Sequence, residues 1–117
     1  MPDKISPGKP DRFMQPSVLM ALLDGKSHGY ELLQHIAEYG FLKGDAPPGM
    51  IYRHLRQMEE EGLVASQWEA TGTGPAKRVY TITPEGREVL DAWVGYMERQ
   101  AGMMLAFVNR YRERPGS

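Results

Sequence analysis

A helical pattern that runs directly into a short apolar strand constrains the fold of this chain more than any other feature of its sequence. The helix is expected from about Pro48 to Glu61, Gly62 ends it, and the strand pattern covers Leu63–Trp68. Glycine commonly follows the last helical turn because it adopts a left-handed backbone conformation without steric cost. The sequence therefore predicts that the chain leaves this helix through a tight turn and enters a sheet at once.

A loop rich in glycine, residues 71–75, separates this strand from a second strand pattern over Val79–Ile82. Lys77 and Arg78 lie at the entrance to the second strand, beside the tip of the expected hairpin. A helix followed by a two-stranded ribbon with a basic flank is the layout of a winged helix-turn-helix. We therefore expect a mainly α-helical chain with a small β-hairpin wing, an α+β fold.

Two helical patterns precede this unit. The first covers Phe13–Leu23. The second is expected to start at Ser27, whose hydroxyl suits an N-cap, and to continue to about Tyr39. Its expected inner face carries Tyr30, Leu33 and Ile36–Ala37. Together with the third helix and the hairpin, they make up a complete winged helix-turn-helix.

A long helical pattern over Pro84–Arg112 closes the chain, and Thr83 can cap it. At 1.5 Å per residue this helix would be about 43 Å long, more than so small a domain can cover. Its apolar residues recur in a heptad pattern at Leu90, Val94, Met97, Ala101, Met104, Val108 and Tyr111. We expect a homodimer through this seam, with packing inside one chain as the alternative.

Composition limits the class of protein. The net charge is -1, so a surface that binds nucleic acid has to come from local segregation of Lys and Arg. The chain has no cysteine and no apolar run near the ~18 residues of a membrane span, so we expect a soluble, cytoplasmic protein. The expected segments are a flexible N-terminal arm (1–12), a winged helix-turn-helix domain (13–83), a dimerisation helix (84–112) and a disordered tail (113–117).

The third helix has two different faces. A helical wheel places Ile51, Leu55 and Met58 together on the core side. The opposite side carries groups that can bind phosphate oxygens or base edges: Arg53, Arg56 and Gln57. Tyr52 lies at the flank of this side, and Gly49 leaves the N-terminus of the helix open. Because the carboxylates of residues 59–61 would repel phosphate, only the first two turns can face DNA. An ordinary solvated helix is the alternative.

Five segments, spread over most of residues 16 to 95, carry a resemblance to a known family. They read L-M-A-L-L-D-G from Leu19, S-H-G-Y-E-L from Ser27, G-M-I-Y-R-H-L from Gly49, M-E-E-E-G-L-V from Met58 and K-R-V-Y-T-I-T-P-E-G from Lys77. In this order they resemble the PadR family of bacterial transcriptional regulators. The resemblance implies a winged-helix DNA-binding domain, a C-terminal dimerisation helix, and repression that a small ligand usually relieves.

The resemblance also implies roles for single residues. Tyr52 and Arg53 match the element that reads the DNA groove, and Met50 stands where such sequences often carry a small hydroxyl residue, so it could contact a thymine methyl instead. The segment that opens the second helix tends to touch the DNA backbone, and it supplies Ser27, His28 and Tyr30. Lys77 and Arg78 match the wing. The expected partner is a palindromic operator in double-stranded DNA.

Trp93 and Met97 could line a cavity between subunits that accepts a flat aromatic effector, although such a stripe is more often plain core. We expect no cofactor, no metal site and no enzymatic activity, because no nucleophile, base and orienting group occur together. The rival function is a winged-helix module for protein interaction or ligand sensing that does not bind DNA. The net charge of -1 is its best support.

Overall fold

The part of the chain that the structure describes forms a three-stranded sheet flanked by four helices. A computed structural model describes residues 12–25, 27–40, 48–70 and 72–116, so the expected arm lies outside the described residues except for Arg12. The elements in chain order are α1 (Met14–Leu23), β1 (Ser27–His28), α2 (Gly29–Glu38), α3 (Pro48–Glu60), β2 (Val64–Glu69), β3 (Lys77–Ile82) and α4 (Pro84–Arg112). The predicted α+β architecture with a hairpin wing and one long terminal helix is confirmed.

The sheet is antiparallel throughout, and β3 lies between β1 and β2. The hairpin pairs Val64 with Ile82 at its base and Glu69 with Lys77 near its tip. Strand β1 was not predicted, because two residues are too short to show an alternating pattern. Ser27 lies in this strand opposite Tyr80, so the prediction that it caps the second helix is wrong; His28 occupies the cap position.

The core forms where α1, α2 and α3 pack against the sheet. The predicted inner face of α3 is confirmed, since Ile51, Leu55 and Met58 are at most 1% exposed. The predicted inner face of α2 is confirmed at Ile36, which is 1% exposed, and Leu33 is partly buried against the core. It is wrong at Tyr30, which is 66% exposed, and at the exposed Ala37, and Gly29 and Leu32 are buried in their place.

The end of α3 leads directly into the wing, as the sequence predicted. Gly62 has φ of 80°, its N–H donates to the Glu59 carbonyl at 3.1 Å, and the Leu63 N–H donates to the Met58 carbonyl at 2.9 Å. These two hydrogen bonds form a Schellman motif, which satisfies the last carbonyls of the helix. Val64 then starts β2 with its side chain buried, so the turn and the core together determine where the wing begins.

Thr83 joins the start of α4 to the end of α3. Its hydroxyl accepts a hydrogen bond from the Gly86 N–H at 3.0 Å, which confirms the predicted cap, and donates to the Gly62 carbonyl at 2.6 Å. A side chain at Gly86 would collide with the carbonyl oxygen of Leu63. The N-terminal half of α4 packs against α1, and every residue from 101 to 112 is exposed.

Helix α2 approaches α3 at a glycine. A Cβ added to Gly29 would lie 2.6 Å from Cε1 of Tyr52, so the Tyr52 ring rests directly on the backbone of the first turn of α2. This close approach explains why Tyr30, the next residue, points away from the core. It also ties the position of Tyr52, a residue of the expected DNA-reading face, to the start of α2.

Substitution of this glycine should therefore act through Tyr52. We expect Gly29→Ala to lower the free energy of unfolding by about 1–2 kcal/mol, because the ring has to move away from the new methyl group. In a Tyr52→Ala background the same substitution should cost nothing, which a double-mutant cycle from urea unfolding would measure. If Gly29→Ala lowers the free energy of unfolding equally in both backgrounds, the Tyr52 ring is not the group that requires a glycine at this position.

Candidate nucleic-acid interface

The start of α2, the first turns of α3 and the wing meet around one groove with a volume of 420 Å³. The groove brings together five residues that the sequence assigned to DNA contact, although they come from three separate segments: His28, Tyr30, Tyr52, Lys77 and Arg78. Gly29, Trp68 and Ala76 complete its lining. Aromatic rings and two cations in one concave surface are suited to a polyanion with flat, stackable groups.

The outer face of α3 continues this surface. Tyr52, Arg53, Arg56 and Gln57 are all exposed on the side opposite the buried face, and Gly49 is exposed in the first turn. Met50 is half-buried and packs against the core, so less of its side chain is available than the sequence suggested. Ser27 contributes its backbone to β1.

His28 forms an ion-pair contact at one margin of the groove. Its Nε2 lies 2.9 Å from Oε1 of Glu31, one helical turn further along α2. The contact occupies a carboxylate that would otherwise face an approaching phosphate.

Arg78 is held by a network inside the chain. Its Nη2 donates to Oε1 of Glu59 at 3.0 Å, and its Nε donates to Oγ of Ser66 at 2.9 Å. The Ser66 hydroxyl in turn donates to Oε2 of Glu59 at 2.6 Å. The acidic end of α3 therefore neutralises a wing arginine.

Two rings flank the same guanidinium. The Cζ atom of Arg78 lies 5.9 Å from the ring centroid of Trp68 and 5.9 Å from that of Tyr80, within the range of cation–π attraction. Burial raises the pKa of Tyr80 above its ordinary value, against the opposing effect of the Arg78 cation. Arg78 thus contacts hydrogen-bond acceptors and aromatic faces of its own chain, while 46% of its side chain stays exposed.

Trp68 is a site residue that the sequence reasoning missed. It was counted as the apolar end of a strand, yet it is 67% exposed and lines the groove. Its register explains this position, because Trp68 pairs with Arg78 across the hairpin, beyond the reach of the core. An aromatic residue close to the hairpin tip, opposite a basic residue, was the signal that could have revealed it.

A second cavity, of 330 Å³, lies beside the N-terminal half of α4. Its lining is Arg12, Val89, Ala92, Trp93 and Tyr96. The indole N–H of Trp93 donates to Oε1 of Gln15 at 2.7 Å, and its ring meets Phe13 and Tyr96 edge to face. Of the two residues predicted to bind an effector, Trp93 lines this cavity, whereas Met97 is half-buried and is not part of its lining.

The predicted heptad seam divides into two parts. Leu90 is 7% exposed and belongs to the core of its own chain, and Met97 is half-buried. The other five seam residues are exposed: Val94, Ala101, Met104, Val108 and Tyr111. Three large apolar residues beside them, Met103, Leu105 and Phe107, are 59–76% exposed, so the C-terminal half of α4 presents a broad uncovered apolar face.

Two kinds of site are absent from the ranges that the structure describes. No group of three or more His, Asp or Glu side chains there is placed to hold a metal ion. No helix of these ranges combines the length and the hydrophobicity that a membrane span requires.

Known proteins with this arrangement regulate transcription. The chain is 34% identical over 73 residues to the transcriptional regulator Rv3488 of Mycobacterium tuberculosis, and this alignment covers 62% of this chain and 64% of that protein. It is 26% identical over 83 residues to the negative transcriptional regulator PadR of Bacillus subtilis, with 71% of this chain and 46% of that protein aligned. The chain thus spans less than two thirds of the length of either relative.

The fold matches as well. A crystal structure of Bacillus subtilis PadR in complex with operator DNA superimposes with a TM-score of 0.63 at 27% identity, over 73% of this chain and 48% of that one. Residues 18–92 match the family described as "Transcriptional regulator PadR-like family". This range includes most of α1, α2, α3, the wing and the start of α4. The chain therefore belongs to the PadR-like family of transcriptional regulators.

Proposed function

We propose that this protein is a dimeric repressor that binds a palindromic operator in double-stranded DNA and responds to a small effector. The groove between α2, α3 and the wing carries the proposal, because it gathers the predicted DNA-contact residues from three segments. The negative regulator of Bacillus subtilis, whose structure contains operator DNA, supports it. In this proposal residues 13–83 form the DNA-binding domain and residues 84–112 the dimerisation helix.

The outer face of α3 is the part that suits the major groove. Arg53 and Arg56 can each donate two parallel hydrogen bonds to a guanine edge, and Gln57 can do the same to adenine. Tyr30 and Tyr52 at the start of the groove can donate to phosphates on either side, and Lys77 of the wing reaches the neighbouring backbone. The exposed Gly49 lets phosphate approach the backbone amides of the first turn of α3.

Substitutions on α3 test this orientation. We expect Arg53→Ala and Arg56→Ala each to weaken specific binding by about 1–3 kcal/mol and to relax base preference at one operator position. Arg110→Ala is the matched control, because it removes one exposed cation from the far end of α4. Gel shifts on an operator obtained by binding-site selection measure both effects.

The outcome also separates the two functions that the sequence left open. If both α3 variants bind as tightly as the unaltered protein, α3 does not read DNA in this orientation. If the unaltered protein selects no duplex at all, the rival function as an interaction or ligand-sensing module without DNA binding takes its place.

The uncovered apolar face on α4 favours a second copy of the chain as its partner. Met104, Val108 and Tyr111 repeat at heptad spacing, and each is at least 41% exposed. A stripe of this kind in water promotes association, and two parallel or antiparallel copies bury it with one set of contacts. A two-fold assembly then presents two α3 helices to two half-sites.

Charges placed in this stripe should separate the subunits without harming the fold. We expect Met104→Glu combined with Val108→Glu to give a monomer in sedimentation equilibrium, because neither side chain is buried in its own chain. Asn109→Glu adds the same charge beside the stripe and should remain dimeric. A double variant that stays dimeric would show that another surface holds the subunits together.

The cavity beside Trp93 favours a flat aromatic effector. Trp93 and Tyr96 offer ring faces, and Val89 and Ala92 supply small apolar walls. Because α4 carries both this cavity and the dimer stripe, a ligand here could alter how two α4 helices meet. We propose that the ligand releases DNA, which is the direction that the resemblance to the family implies.

A planar dye tests the cavity. In a Trp68→Phe background, where Trp93 is the only tryptophan left, we expect acridine to quench the fluorescence in a saturable way. Ala92→Leu should remove this binding by filling the cavity, while Ala70→Leu, an exposed position on the wing, should not. Quenching that does not saturate, or that survives Ala92→Leu, would exclude this cavity.

A further inference from the structure

We propose that Arg78 is a positioning residue that holds the wing against α3, and that Lys77 alone supplies the phosphate contact of the wing. This inference rests on the proposed binding of DNA, but it departs from the sequence prediction that both basic residues touch the ligand. It gives Glu59 and Ser66, for which no DNA contact is proposed, the same role of holding the wing against α3.

The network closes a ring of three side chains from three elements. Glu59 comes from the last turn of α3, Ser66 from β2 and Arg78 from β3. Each pair is hydrogen-bonded, with distances of 2.6 Å, 2.9 Å and 3.0 Å. Both oxygens of the Glu59 carboxylate accept, and two nitrogens of the guanidinium donate. Hydrogen bonds with one charged partner are stronger than neutral ones, and here they are mutually oriented.

A move of Arg78 toward DNA would break this ring. Its Nε and Nη2 would leave their acceptors, and its contacts with Trp68 and Tyr80 would be lost. The Glu59 carboxylate would keep the hydrogen bond from Ser66 but lose its cationic partner, and its charge would then repel phosphate. The new contact would therefore have to replace two hydrogen bonds and overcome a repulsion that the present arrangement avoids.

The outer part of the wing lies away from the core, so the bridge through Arg78 contributes to its placement. Residues 72–78 are exposed, and beyond Val79 and Val64 the hairpin contributes no side chain to the core. An isolated two-stranded hairpin is marginally stable in water. The bridge from Arg78 to the end of α3 sets the angle between the wing and α3, and so sets where Lys77 meets the DNA backbone.

Four substitutions to glutamine test the assignment, each measured on the selected operator over a range of salt concentrations. Arg78→Gln and Glu59→Gln each remove a charge from the ring and so weaken it, whereas Lys77→Gln and Glu60→Gln are their matched controls. We expect both ring variants to weaken binding about three- to ten-fold with an unchanged salt slope. The double variant should be no weaker than either single one, because both remove the same fastening.

The controls should behave differently. Lys77→Gln should lower the salt slope by about 0.9, the value of one phosphate contact. Glu60→Gln should bind as well as the unaltered protein or slightly better, because it removes only a repulsive charge. The direction in which Glu59→Gln changes the DNA affinity is decisive. If Arg78 touches phosphate, loss of its Glu59 partner should strengthen binding, and Arg78→Gln should lower the salt slope by about 0.9. Either result, or unchanged affinity in both ring variants, overturns the assignment.

Hydrogen exchange of the free protein separates this inference from the proposed function. The amides of β2 and β3 should exchange faster, and to a similar degree, in Arg78→Gln and Glu59→Gln than in the two control variants. This measurement needs no DNA, so it decides the fastening even where the unaltered protein binds no duplex. Equal exchange in all four variants would contradict it.

Discussion

The complete burial of one face of α3 is the constraint on which the rest of the structure depends. Ile51, Leu55 and Met58 fill the centre of the core. Because a helix is rigid, their burial determines which side chains point outward, and these include Arg53 and Arg56. The same helix ends in the turn that starts the wing, so the direction of the hairpin depends on how α3 is seated.

Features set by neighbouring residues could be predicted from the sequence. The ends of α3 and α4 and the hairpin follow from glycine, proline and a capping hydroxyl acting within a few residues. Features set by distant residues could not. Strand β1 exists because residue 27 meets residue 80, and the exposure of Tyr30 follows from the approach of Gly29 to Tyr52. The pairing of Arg78 with Glu59 likewise joins residues whose proximity only the packed wing creates.

The slightly negative net charge is compatible with a surface for a polyanion because of where the acidic groups lie. Glu59 is occupied by Arg78, and Glu31 lies against His28 at the groove margin. Each pairing reduces the repulsion that a free carboxylate would exert within a Debye length of about 8–10 Å. The distribution of charge over this face therefore says more about its partner than the total does.

The link at Thr83 has a mechanical consequence. One hydroxyl binds the turn that follows α3 and the first turn of α4, and Gly86 lies against Leu63 with no room for a side chain, so the start of α4 is fixed closely to the end of α3. A tilt of about 10° along a helix of about 43 Å displaces its far end by about 7.5 Å. That displacement is about two base-pair steps of 3.4 Å. In a dimer, α4 would work as a lever that converts a small change of crossing angle into a different operator spacing.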